Sequence, residues 1–141
     1  MAACFAVALL LRTAAVLILR PDPMNGIDSG EYDRLARDLL AGQGLGLLQG
    51  YVRPPLYPLL VAGTYAIGGI ALLIAIQVLL GSIATVLVGE LASRLAGDRL
   101  AGIAAAAAAA IYPWSFQWVG TLASENLFTP LALLGFVAVI S

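Results

Sequence analysis

Apolar residues run almost unbroken from Ala2 to Leu19, interrupted only by Arg12 and Thr13. A run of that length is long enough for a helix across a bilayer, which needs about 20 residues. No basic stretch precedes it and no small-residue cleavage site follows, so it reads as a span rather than a signal peptide. Arg12 near its middle costs roughly 2.5 to 3.5 kcal/mol on insertion scales, so it should face other helices or snorkel rather than meet lipid. "RPDPMNG" then ends the helix with two prolines and an Asn-Gly pair.

Over 28–41 the pattern changes to an amphipathic one. Tyr32, Leu35, Leu39 and Leu40 share one face, and Asp33 with Arg37 and Arg34 with Asp38 stand at the i,i+4 spacing on the other. This predicts a helix lying on the membrane surface. Residues 42–50 read as a flexible loop. "RPPLYPLLVAGTYAIGG" follows, with an apolar core over 56–67 that starts on prolines and ends on paired glycines. It is short for a span and suits an interfacial or re-entrant segment. A full-length apolar run over 70–89 is relieved only by Gln77, Ser82 and Thr85, and "ELASRLAGDR" after it carries two arginines. The stretch 100–119 reads as another span ending in an aromatic belt of Tyr112, Trp114 and Trp118. The last apolar run, 127–141, stops after 15 residues with no charged flank, which reads as an N-terminal fragment. The predicted fold is therefore all-α and polytopic. About four spans (2–19, 70–91, 100–119 and 125–141) accompany two interfacial helices (about 28–41 and 54–68) in an outer loop, 20–69.

Composition supports the membrane reading: 62% of residues are apolar, 11% are charged and the mean hydropathy is +0.99. Globular domains carry about 25% charged residues. The net charge of −1 and the absence of any basic block exclude nucleic acid as a partner. Cys4 has no second cysteine to pair with, and there is no histidine. A metal would therefore be held by oxygen ligands, which favours Mg, Mn or Ca over Zn.

Positive-inside reasoning places Arg94 and Arg99 in the cytoplasm. The loop before Glu125 and all of 20–69 then lie outside, provided 53–69 does not cross. That outer segment holds four arginines beside five carboxylates. Asp28, Glu31, Arg53 and Glu125 fall on one side, each near a helix start, where amides and dipole favour anions and the arginine fork suits phosphate. Each residue also has a plainer role. Asp28 and Glu31 form a D-x-x-E capping pattern, Ser124 can cap the last helix, Arg53 can snorkel, and aromatic residues serve as interfacial anchors.

The order of "DSGEYDRLARDLLAGQG", "RPPLYPLL", two spans around a basic turn, and "ASENL" resembles the N-terminal module of the GT-C membrane glycosyltransferases over essentially all 141 residues. That superfamily includes protein O-mannosyltransferases, aminoarabinose transferases and oligosaccharyltransferase. The resemblance implies transfer of a sugar, with inversion, from a polyprenyl-phosphate donor to a lipid or protein acceptor on the extracytoplasmic face of a bacterial inner membrane. It implies Asp28 and Glu125 as catalytic residues, with Glu31, Tyr32, Arg53 and Asn126 binding substrate. It further implies either a divalent cation, Mg or Mn, on Asp28 and Glu125 or no cofactor, and a fragment inactive without the helices that enclose the lipid. The alternative is a transporter or a structural membrane subunit with no catalysis; inverted repeats, which a transporter would favour, are not visible.

Overall fold

The computed structural model describes residues 1–44 and 53–140, and among them all regular structure is helical. Helix α1 (Ala2–Leu19) has the predicted bounds and ends on Arg20 in the left-handed region (φ 45°). Helices α2 (Ser29–Leu40) and α3 (Leu56–Ile67) match the two segments expected to lie at the interface. Part of the expected loop over 42–50 lies outside the described residues. At the paired glycines Gly69, with φ +66°, turns the chain into α4 (Gly69–Ala96), whose 28 residues run on past the predicted end at 91 through Arg94.

The expected span over 100–119 is broken into α5 (Arg99–Ala110) and α6 (Pro113–Trp118). The cause is local. Pro113 has no amide hydrogen for a helical bond and disfavours a helical Tyr112, which is extended (φ −65°, ψ 115°). Proline at the first position of α6 then starts a new helix. Helix α7 (Glu125–Val139) closes the order, with Pro130 inside it. Among the described residues only α1 and α4 are long and apolar enough to cross a membrane; α3, α5 and α7 are apolar but shorter.

α4 is the central helix, and α1, α3, α5 and α7 all pack on it. Its approach to α5 depends on glycine: a Cβ on Gly102 would lie 2.6 Å from the Gly89 carbonyl oxygen. α2 packs on α3 around a core of Tyr32, Ala36, Tyr57, Val61, Leu73 and Leu122. Ala36 rather than Leu40 completes the buried face of α2; Leu40 is 51% exposed, a turn beyond the stripe that 32, 35, 36 and 39 define. The Asp33–Arg37 pair forms at 2.8 Å, and Tyr65 on α3 donates to Asp33. Among the described residues no ion pair joins Arg34 to Asp38.

Arg12 turns inward, as its insertion cost requires, and is 3% exposed. Its guanidinium donates to the Ala8 carbonyl (3.3 Å), to the Ala109 carbonyl in the last turn of α5 (3.5 Å) and to Ser115 Oγ on α6 (3.3 Å). Breaking the helix leaves carbonyls of α5 without amide partners, and the side chain supplies a donor to one of them.

Candidate functional site

Two turns meet at one end of the molecule. The Leu122 amide donates to the Pro23 carbonyl (3.0 Å), and the buried Ser29 Oγ donates to the Leu122 carbonyl (2.9 Å). Gly26 donates its amide to the same hydroxyl, and a Cβ there would strike it at 2.4 Å, so this close approach needs glycine. Gly120 is equally constrained, since a Cβ would fall on Pro21. From the other side, Tyr57 donates to Gln77 Oε1 (2.6 Å) and accepts from the Ala123 amide (2.9 Å). Gln77 Nε2 in turn donates to the carbonyls of Val119 and Thr121. Burial pushes the Tyr57 hydroxyl well above its ordinary pKa, which keeps it protonated and able to donate.

This lattice fixes the starts of α2 and α7 side by side. Asp28 occupies the N-cap position of α2, yet its carboxylate makes no cap hydrogen bond. It pairs instead with Arg53 Nη2, while Arg53 Nε donates to Glu31 Oε2 at 2.9 Å. The guanidinium also lies 6.0 Å from the centre of the Tyr32 ring, and Tyr32 meets Tyr57 edge-on at 4.8 Å. The hydrogen bond to Glu31 raises the Arg53 pKa above its already high value. The capping reading therefore does not describe the Asp28 side chain here. Ser124 likewise stands at the N-cap of α7 without a side-chain cap bond.

The six residues singled out in the sequence divide into two groups. Asp28, Glu31, Tyr32 and Arg53 form a half-buried cluster in which the cation is shared by two carboxylates. Glu125 and Asn126 instead line a cleft of about 620 Å³ between α5, α6 and α7, floored by α4 and reached by Arg12. Glu125 is exposed and makes no ion pair among the described residues. Asn126 directs its Nδ2 to the Trp118 and Thr121 carbonyls, so its amide braces the turn. Among the described residues no group of three or more acidic, cysteine or histidine side chains is assembled to hold a metal. Asp28 and Glu31 each direct a carboxylate oxygen to Arg53.

Sequence reasoning missed Ser29, Tyr57 and Gln77 as the scaffold of this end. Gln77 carried a readable signal, because a lone amide in an apolar run must find partners once buried. No protein family matches the chain, and neither curated proteins nor solved structures give a match.

Proposed function

We propose that this chain belongs to a GT-C membrane glycosyltransferase that moves a sugar from a polyprenyl-phosphate donor to a lipid or protein acceptor on the extracytoplasmic face, with inversion. One observation carries the reading. Two acidic helix starts, Asp28 and Glu125, are tied to the same end through Ser29 and Leu122, and neither N-cap side chain, Asp28 for α2 or Ser124 for α7, makes a cap bond. On this reading α1, α4, the α5–α6 pair and α7 cross the bilayer, α2 and α3 lie at its outer surface, and Arg94 and Arg99 face the cytoplasm.

The chemistry is a single in-line displacement. A carboxylate accepts the proton of the acceptor hydroxyl as its oxygen attacks the anomeric carbon. The bond from that carbon to the phosphate oxygen breaks, and the phosphate leaves with the electron pair. Glu125 suits the base role, since it is exposed, lines the cleft and makes no ion pair among the described residues. Asp28, paired with Arg53, suits orientation of substrate at the rim.

Binding of a fluorescent polyprenyl-phosphate sugar to the protein in lipid nanodiscs tests this reading. Saturable binding that weakens in Glu125→Gln and Asp28→Asn supports it. Equal binding of the donor to both variants and to the unmodified chain removes its basis. A solute path is the second reading, favoured by the helix break beside buried Arg12. It would show as flux of small anions across proteoliposomes without donor binding.

A further inference from the structure

The geometry points to Arg12, not Arg53, as the group that takes the phosphate of a single-chain lipid, with the chain lying in the cleft between α5 and α7. This rests on the transferase reading for the kind of lipid but not for the charge that would bind it.

Arg53 and Arg12 differ in their surroundings. Arg53 is shared by Asp28 and Glu31, so its cluster already holds one more negative charge than positive. A phosphate brought there meets net repulsion. Arg12 is 3% exposed and makes no ion pair among the described residues. Its acceptors are two carbonyls and a hydroxyl, at 3.3 to 3.5 Å, longer than charge-assisted bonds usually are. Those three bonds occupy Nη1 and Nη2, leaving Nε–H and a second Nη1 hydrogen without an acceptor. A buried guanidinium whose hydrogen-bonded neighbours are all neutral favours an anion brought to it, and Glu125, which lines the same cleft, makes no ion pair with it among the described residues.

The cleft that Arg12 lines has the polarity profile of an amphiphile. Ser115, Glu125 and Asn126 contribute polar atoms to the lining, whereas Ala84, Val88 and Leu133 give it apolar surface. Gly81 is part of the arrangement, because a Cβ there would lie 3.0 Å from Arg12 Nε. From Gly81 to Arg94 α4 rises 13 residues, about 20 Å, so the guanidinium lies beneath the outer surface rather than on it. A phosphate reaches it by entering between α5 and α7, which pack on α4 rather than on one another. At about 620 Å³ the cleft is in the range of sites for one small ligand, room for a phosphate and the first part of one chain, with the rest of the chain in the bilayer.

Trp114 and Trp118, the two tryptophans of the chain, line this cleft and report on its occupancy. In nanodiscs of neutral lipid, tryptophan fluorescence is titrated with undecaprenyl phosphate, undecaprenol, dioleoyl phosphatidate and inorganic phosphate. The expected result is saturable binding of undecaprenyl phosphate at least about tenfold tighter than of undecaprenol, the scale of one hydrogen bond to a charged group. Arg12→Gln should erase that preference, Arg12→Lys should keep part of it, and Arg99→Gln should leave it unchanged. Undecaprenol binding as tightly as the phosphate in the unmodified protein overturns the proposal, whether or not the variants fold. So does a loss confined to Arg53→Gln, or phosphatidate or free phosphate competing as well as the single-chain lipid. If the phosphate preference depends on Arg12 but the sugar-linked lipid binds no better than the bare phosphate and no transfer occurs, the lipid site stands and the transferase reading falls.

Discussion

Asp98 and Asp28 hold the same position in two helices, the N-cap, at opposite ends of α4. Asp98 is extended (φ −135°, ψ 125°), and its carboxylate accepts from the Leu100 and Ala101 amides at 3.0 and 3.1 Å. Gly97 before it, at φ +63°, closes α4 in a left-handed cap, so the turn satisfies both helix ends with local groups. Asp28 has a helical backbone instead (φ −99°, ψ −2°), and its carboxylate is directed to a side chain 25 residues away. The local sequence offers a cap at both places and only one is formed. A carboxylate drawn away from the amides it would ordinarily serve is a better candidate for chemistry than one that caps.

The difference is broken most severely at the scaffold rather than at the acids. Gln77→Leu removes the acceptor of Tyr57 and the donors to Val119 and Thr121 while leaving buried polar groups unmatched. It should destabilise the protein by about 3 kcal/mol and scatter the 119–124 turn, an effect readable as a lower melting temperature in detergent and faster hydrogen exchange at Ala123. Unchanged protection at Ala123 would mean that the two acidic helix starts are not held by this network. Asp28→Asn comes next. It should lower transfer about tenfold in membranes expressing the protein, the scale of one lost charge-assisted hydrogen bond in orienting the substrate, with little change in stability because no cap bond is lost. Asp98→Asn tests the reverse, and Asp98→Ala should cost about 1 kcal/mol, the usual value of an N-cap, with transfer unaffected.

Much of the helical framework is legible in the sequence for a physical reason. Long apolar runs and a 3.6-residue stripe are properties of consecutive residues, so α1, α2, α3 and α4 follow from 2–19, 28–41, 54–68 and 70–91 with small shifts at their ends. The break at Tyr112 was equally local, since Pro113 stands in the string, but the apolar count over 100–119 masked it. The site was less legible because it is made by pairings across 20 to 93 positions: Tyr57 with Gln77, Arg53 with Asp28, and Ser29 with Leu122. Residue types alone identified the acids at the two helix starts. They did not show that one group is neutralised by Arg53 and the other opens onto a cleft with a buried arginine.

The smallest expected effect sharpens the comparison at the outer face of α2, where a carboxylate is engaged by neither a cap nor a cleft. Asp33 is held below the ordinary carboxylate pKa chiefly by its hydrogen bond to Arg37, with Tyr65 adding a second donor and partial burial opposing both. A depressed folded-state pKa contributes stability that is present above the unfolded value, near 3.9, and is lost as pH falls through the lower folded value. Arg37 is 68% accessible, though Asp33 is only 20%, so screening at the arginine keeps the contribution small. Thermal unfolding of the protein and of Asp33→Asn should therefore differ slightly at pH 6 and converge toward pH 3. Added salt should narrow the gap at pH 6 as well. A difference that persists undiminished at pH 3 would show that the charge of Asp33 is not its source, since asparagine can still accept the hydrogen bond from Tyr65 that joins α2 to α3.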